Sequence, residues 1–287
     1  MKEEIRKKIN ISGFADEISP DLEEQIRVLT RLGISYVEVR GVNGKGLVDY
    51  SLNDAEKIKR RLDESGIRLS SVGSPIGKIP VTESFEEHFE LFKHTVEIAK
   101  IMDTPYIRMF SFFIPKEEDT EKYEDVVFKR VEKMVEHAAK NNVILLHENE
   151  KDIYGDVAVR CKKLMEKFYG DNFKAVFDFA NFVQCHQDTK EAFEMLKPFV
   201  EYIHVKDAVW KTGEVVPAGY GDGNVKAILT ELFGGGYHGF LSLEPHLADF
   251  AGFSALENGG RLKEKKLTGE EAFILAFDSL QKILDEI

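Results

Sequence analysis

One unit recurs along the sequence: an amphipathic helical stretch, a Gly, Asn or Asp that ends it, and a short apolar run that finishes in polar residues. The first helical stretch shows the pattern, because its apolar side chains recur at helical spacing, at Leu22, Ile26, Leu29 and Leu32. Ser19 is predicted as the N-cap, with Pro20 at the first helical position. Gly33 then ends the helix, and an apolar run follows at once.

Eight such apolar runs are predicted as strands, and they occupy residues 9–15, 35–40, 67–73, 105–113, 143–149, 173–181, 200–207 and 237–245. Helical stretches separate them, and the last helix opens with the capping-box pair Thr268 and Glu271. Eight βα units at a mean spacing of about 36 residues are what a (β/α)₈ barrel requires. Strands as apolar as residues 143–146 suit parallel strands that are covered on both faces.

We therefore predict the α/β class, with residues 1–287 forming a single (β/α)₈ TIM barrel domain that carries a loop insertion at about 246–267. The main alternative is a doubly wound open sheet. That fold usually has a Gly-rich phosphate turn after its first strand, and ISGFADEISP lacks one.

Charge and composition exclude several classes of partner. The chain has 39 Lys and Arg against 51 Asp and Glu, a formal net charge of −12, which argues against nucleic-acid binding. No apolar stretch approaches the roughly 18 residues that span a bilayer, and the N-terminal residues lack the apolar core of a signal peptide. With Cys161 and Cys185 in no metal-binding or redox pattern, we expect a cytoplasmic protein that does not bind membranes.

The predicted strands 5 to 8 end in an unusual set of polar residues: Glu148, Asp178, His204 and Glu244. Each one alone could simply cap the loop that follows it. In a barrel, however, the C-terminal strand ends converge on the ligand site, and three carboxylates gathered there would repel one another or take up protons. A divalent cation relieves this repulsion. Three oxygen ligands and one nitrogen, without sulfur, suit Mn²⁺, Mg²⁺, Co²⁺ or Zn²⁺ in an open, catalytic site.

The same residues carry a family resemblance. The segments LLHENE, FDFAN, YIHVKD and LSLEPH, in this order on strands 5 to 8, resemble the xylose isomerase-like TIM barrels, a superfamily of sugar phosphate isomerases and epimerases that also contains apurinic-site endonucleases. The resemblance covers essentially the whole chain. It implies that Glu148, Asp178, His204 and Glu244 hold one divalent metal ion, with Mn²⁺ preferred, and that the two glutamates also act as acid and base.

The sequence departs from this family in two places. Many members carry a His three residues after the strand-6 Asp, where this chain has Asn181. This change argues against a second metal or a His contact to substrate at that position. The endonuclease branch needs histidines at the ends of strands 2 and 3, where VEVRGVNG and SSVGSPIG have none. A trinuclear zinc nuclease is therefore not expected.

The expected reaction is isomerisation or epimerisation of a sugar or sugar phosphate, by proton transfer through a metal-stabilised ene-diolate. Two alternatives stay open. One is a metal-dependent lyase that dehydrates a keto-polyol, as inosose dehydratases do, and the other is a non-catalytic sugar-binding barrel. The sequence leaves both the substrate and homo-oligomer formation undecided.

Further polar and aromatic residues near the strand ends are candidates for substrate binding: Arg108, Lys206, Asn181, His186, Trp210 and His246. Arg108 and Lys206, together with Arg40, either bind a substrate phosphate or carboxylate or only offset the acidic cluster. His246 either orients a metal ligand or is a solvated loop residue. Trp210 is expected to form an apolar wall for a sugar, with Phe179. His147 alternates with Glu148 and is expected to face the helix layer.

Overall fold

The computed structural model describes residues 8–248 and 267–287, and eight parallel strands form its centre. The strands are β1 (Asn10–Gly13), β2 (Tyr36–Val39), β3 (Arg68–Val72), β4 (Tyr106–Met109), β5 (Ile144–Glu148), β6 (Phe173–Asp178), β7 (Val200–Val205) and β8 (Phe240–Leu243). Each strand from β2 to β7 pairs in parallel with the next one along the chain, and β8 pairs in parallel with β1. A single bridge between Phe14 and Glu38 links the β1 and β2 segments.

This nearly closed ring confirms the predicted barrel, and the open-sheet alternative is wrong. Helices cover the outside: α1 (Leu22–Arg31), α2 (Leu52–Glu64), α3 (Glu86–Ile101), α4 (Glu124–Asn141), α5 (Ala158–Phe168), α6 (Phe179–Gln184), α7 (Thr189–Leu196), α8 (Val225–Gly234) and α9 (Gly269–Glu286). Of the predicted insertion at 246–267, residues 249–266 lie outside the described part of the chain, and a single domain over 1–287 stays a prediction. None of the described helices is long and apolar enough to cross a membrane.

Local capping fixes where the helices begin. The Thr268–Glu271 capping box of α9 is present as predicted. The predicted N-cap of α1 is wrong, because Asp21 takes that position and its carboxylate accepts the Glu24 N–H. The Ser19 hydroxyl instead accepts the N–H of Asp21, two residues further along the chain. Strand β6 ends at Asp178, the predicted strand-end residue, and the rest of that run begins α6, because Asp178 caps this helix through the Asn181 N–H.

The barrel interior is apolar at one end and polar at the other. Leu146, Val176 and Tyr202 form its buried floor. Above them the hydroxyl of Tyr202 donates to Ser70 Oγ at 2.8 Å, and Ser70 Oγ lies 2.6 Å from Ser12 Oγ. Because strand side chains alternate between the two faces, the next inward-facing residues along these strands, Glu148, Asp178 and His204, lie at the C-terminal end of the barrel. The larger apolar core lies between strands and helices. His147 is buried as well, and its Nε2 lies 3.0 Å from Ser111 Oγ.

Candidate functional site

The structure brings together the four predicted strand-end residues. Glu148 and Asp178 are the last residues of β5 and β6, His204 is the penultimate residue of β7, and Glu244 directly follows β8. All four side chains are buried, and one potential ligand atom from each lies within 4.8 Å of the others. Ligand atoms that share an ion at about 2.1 Å lie no more than about 4.2 Å apart. Small side-chain adjustments would therefore let this cluster hold one divalent ion.

Lys206 places its ammonium group directly on this cluster. Its Nζ lies 2.7 Å from Glu244 Oε2 and 3.2 Å from Asp178 Oδ2. Burial lowers the pKa of Lys206, but the two carboxylates outweigh it and raise the pKa above its usual range. The lysine is therefore a charged partner of two candidate metal ligands. That contact agrees with the interpretation in which the basic residues offset the acidic cluster.

Glu148 is held through both of its oxygens. Oε1 lies 2.9 Å from His204 Nδ1, and it accepts from Asn181 Nδ2 at 3.3 Å. Oε2 accepts from Arg108 Nη1 at 3.3 Å. Burial raises the pKa of Glu148, but His204 and Arg108 more than reverse this and bring the pKa to about 2. The side chain is therefore ionised at neutral pH and fixed in orientation.

His204 has different partners on its two ring nitrogens. Nδ1 faces the cluster, while Nε2 lies 3.2 Å from Glu38 Oε2. Ser242 donates to the same Glu38 oxygen at 2.7 Å, and both His204 and Glu38 are fully buried. Burial lowers the pKa of His204, but Glu148 and Glu38 raise it well above the usual value. Glu38 was not among the predicted site residues. Its position near the end of β2 is the one feature of the sequence that could have located it.

Asp178 is positioned by the turn into α6. Its Oδ1 accepts the Asn181 N–H at 2.7 Å, and its backbone N–H donates to Asn149 Oδ1 at 3.0 Å. Oδ2 is buried and has no hydrogen-bond partner within the described residues, although Lys206 is near. Burial raises the pKa of Asp178 to about 7, against the lowering effect of Lys206. A buried carboxylate oxygen aimed into the cluster without a hydrogen bond fits a metal ligand.

A second group of charged residues forms the rim beside Glu244. Arg40 Nη1 lies 3.4 Å from Glu244 Oε1, and Arg40 Nε lies 2.7 Å from Asp16 Oδ2. His246 Nε2 is 3.2 Å from Glu17 Oε1 and 3.4 Å from Glu244 Oε1. Glu17, Glu244 and His246 also each offer one potential ligand atom within 4.8 Å of the others. Arg40 already supplies a cation there, since its Nη2 lies 3.3 Å from Glu17 Oε1.

The remaining predicted substrate contacts fall in two places. Arg108 is buried in the barrel, where its guanidinium lies 4.8 Å from the centre of the Phe14 ring and donates to the Gly73 carbonyl. His186 and Trp210 are exposed, with 5.4 Å between their ring centroids. Within the described residues no hydrogen bond joins either ring to the four-residue cluster, so their role stays a prediction.

Fold and site together define a class: a (β/α)₈ barrel whose C-terminal strand ends present a buried Glu, Asp, His and Glu to one point. The family model of the xylose isomerase-like TIM barrel matches residues 26–272, and the chain belongs to this family. The same model spans seven of the eight strands, from β2 to β8. A comparison with curated proteins finds no match.

Solved structures share the fold at low sequence identity. The IolI protein with a bound zinc atom aligns with a TM-score of 0.76 and 16% identity, over 96% of this chain and 98% of that one. The probable 3-DHS dehydratase AsbF from Bacillus anthracis gives 0.72 and 16%, over 95% and 98%. The 3-keto-D-glucoside 4-epimerase YcjR from E. coli gives 0.68 and 14%, over 96% and 98%. Proteins of this fold thus include a sugar epimerase and a probable dehydratase.

Proposed function

We propose that the chain is a divalent-metal-dependent enzyme that isomerises or epimerises a small sugar by moving a proton on a carbon next to a carbonyl group. The observation that carries this proposal is the buried cluster of Glu148, Asp178, His204 and Glu244 at the C-terminal end of the barrel. In (β/α)₈ enzymes this end holds the active site. The same four residues supply metal ligands and two candidate proton-transfer groups.

The donor set fits a metal ion. Three carboxylates and one imidazole favour hard or borderline divalent ions, and we propose Mn²⁺, with Mg²⁺, Co²⁺ and Zn²⁺ as alternatives. His204 would bind through Nδ1, because Glu38 holds Nε2 on the opposite side of the ring. When bound, the ion would polarise the substrate carbonyl and stabilise the negative charge that develops as the neighbouring carbon loses its proton.

The two glutamates are suited to proton transfer. Glu148 is ionised and held by Arg108 and Asn181, which makes it an acceptor of fixed geometry. Glu244 has Lys206 Nζ at 2.7 Å and His246 Nε2 at 3.4 Å, and these two neighbours hold its carboxylate in place beside the cluster. We propose that one glutamate removes the substrate proton and that the other returns one from the opposite side. Return to the same carbon gives epimerisation, and return to the neighbouring carbon gives isomerisation.

Dehydration of a keto-polyol is the second candidate. Lys206 favours it, because a buried ammonium group beside Glu244 could protonate a departing hydroxyl group. A fold neighbour is described as a probable dehydratase. The two reactions differ in product, since dehydration gives a conjugated carbonyl compound that absorbs in the ultraviolet and isomerisation does not.

The test is exchange of substrate protons with deuterated water, measured by NMR over a panel of ketoses and keto-polyols with the Mn²⁺-loaded chain. We expect exchange in the wild type and a loss of about 10²–10⁴-fold in Glu148→Gln and in Glu244→Gln. Glu201→Gln is the matched control, because Glu201 lies near the opposite end of β7 and pairs with Lys174. Wild-type exchange in either cluster variant would refute the acid and base assignment. Absence of exchange and of product with every compound would favour a binding barrel.

A further inference from the structure

The loop after β7 forms an anion-binding nest that the chain fills with its own carboxylate. Asp207 is fully buried, and four backbone N–H groups donate to its two oxygens. Those donors are Ala208 at 2.8 Å, Gly219 at 2.9 Å, Gly221 at 3.0 Å and Gly223 at 2.8 Å. In (β/α)₈ barrels the loops after strands 7 and 8 and an adjacent helix N-terminus frequently bind the phosphate group of the substrate. Here Asp207 takes that position.

The glycines show that the nest is shaped around this carboxylate. A Cβ atom on Gly221 would lie 2.4 Å from Asp207 Oδ1, and one on Gly223 would lie 2.6 Å from the same oxygen. Neither contact leaves room for a side chain. Asn224 then adopts a left-handed conformation, with φ of 56°, and leads directly into α8. The N–H groups that could have cradled a phosphate are therefore committed within the fold.

The charges at the barrel mouth supply the second, independent observation. The negative charges in this network of ion pairs belong to six carboxylates: Asp16, Glu17, Glu38, Glu148, Asp178 and Glu244. The groups that can carry positive charge are three basic side chains and two histidines: Arg40, Arg108, Lys206, His204 and His246. Every one of these basic side chains already has a carboxylate partner. The nearby pair of Lys78 and Glu150 adds no net charge.

Among the residues that the structure describes, this balance leaves no unpaired positive charge for an anionic substrate. Six carboxylates outnumber the three basic side chains and the two histidines, even when both histidines are protonated. A bound divalent ion, with His204 neutral as a ligand and His246 protonated, would bring the formal charge only to zero. A phosphate or carboxylate group would enter a mouth whose described side chains offer no surplus cation to pair with it.

From these two features we infer that the substrate is an uncharged polyhydroxy carbonyl compound, without a phosphate or carboxylate group. This inference rests on the proposed function and deepens it by naming the substrate class. Recognition would then depend on hydrogen bonds from hydroxyl groups to the charged residues of the mouth, whose side chains are already fixed by their ion pairs.

The test uses matched pairs of compounds. Deuterium exchange by the Mn²⁺-loaded chain is measured for free ketohexoses and for the 6-phosphate of each, at equal ionic strength. We expect exchange with at least one free sugar and a rate about tenfold or more lower with its phosphate ester. A phosphate ester that exchanges as fast as its free sugar, or faster, overturns the inference.

A binding experiment decides the inference even when no sugar is exchanged. Inorganic phosphate is dialysed to equilibrium against the metal-free wild-type chain and against Asp207→Ser, which empties the nest. We expect no saturable phosphate binding to the wild type and a gain of binding in the variant. Saturable binding to the wild type, or a folded variant that gains none, contradicts the inference. Where circular dichroism shows that the variant does not fold, the wild-type result decides. Lack of exchange with every sugar, combined with no phosphate binding, counts against the proposed function and supports the exclusion of anions.

Discussion

Replacement of Lys206 by Met tests the electrostatics of the cluster most directly. The side chain is buried, and its Nζ lies 2.7 Å from Glu244 Oε2 and 3.2 Å from Asp178 Oδ2. Met has a similar length and no charge, so Lys206→Met leaves these two carboxylates without their ammonium partner while keeping most of the packing.

The expected loss depends on whether a metal ion is present. Breaking a buried ion pair by removing one partner costs about 3–5 kcal/mol, so the metal-free variant should lose about that much free energy of unfolding. With Mn²⁺ bound, the ion neutralises the same carboxylates, and the loss should shrink to about 1 kcal/mol. Metal binding and the substitution form a thermodynamic cycle, so the difference between these two losses must appear as a difference in Mn²⁺ affinity. The variant should therefore bind Mn²⁺ more tightly by about 2–4 kcal/mol, or about 30- to 1,000-fold.

Urea unfolding of both chains, with and without Mn²⁺, measures the stability terms, and calorimetric titration measures the affinity. Lys174→Met is the matched control, because Lys174 forms a half-buried ion pair with Glu201 at 3.1 Å away from the cluster. That variant should lose no more than about 1 kcal/mol, equally with and without metal. A Lys206→Met loss that is the same in both conditions would refute the idea that lysine and metal compete for these carboxylates.

Two further predictions concern buried histidines. Glu38→Gln should lower Mn²⁺ affinity by about 10–100-fold, because Glu38 holds His204 Nε2 and so keeps Nδ1 directed at the cluster. Glu201→Gln should leave the affinity unchanged, and equal affinities in both variants would exclude this role for Glu38. Burial lowers the pKa of His147 to about 4 in the folded chain. As the pH falls, the unfolded chain therefore protonates this histidine before the folded chain does. The free energy of unfolding should accordingly be highest above about pH 6.5 and should fall as the pH drops toward 4. This histidine contributes a slope of up to about 1.4 kcal/mol per pH unit. Urea unfolding between pH 7 and pH 5 measures it, and an unchanged slope in a folded His147→Gln variant would count against the assignment.

The barrel and the positions of the cluster residues followed from local sequence features. Apolar runs that end in polar residues located Glu148, Asp178 and His204 at strand ends, and the barrel rule placed strand ends together. Lys206 lies two residues after His204 and so shares its strand face, which brings the ammonium group onto the cluster. Helix starts were less predictable. Ser19 and Asp21 both fit an N-cap, and only the geometry of the turn selected Asp21.

The partners of each side chain could not be read from the sequence, because they come from strands far apart in the chain. Glu38 and His204 are separated by 166 positions and meet across the barrel interior. The assignment of Asn181 to substrate binding did not anticipate its contact with Glu148, which depends on the tight turn from β6 into α6. The roles of Arg108, His186, Trp210 and His246 in substrate binding stay predictions, as do cytoplasmic location and homo-oligomer formation.

The pairing of β1 has a consequence for biosynthesis. Four residue pairs join β1 to β8, from Asn10 with Phe240 to Gly13 with Leu243, whereas a single bridge at Phe14 and Glu38 joins β1 to its neighbour in sequence. A ribosome must therefore translate nearly the whole chain before β1 meets its main partner strand. Contacts of such long sequence separation slow folding, and the nascent β1 edge stays available to other extended segments until β8 emerges. The time during which the nascent chain needs chaperone protection should accordingly end when β8 has been synthesised, and not when β1 has.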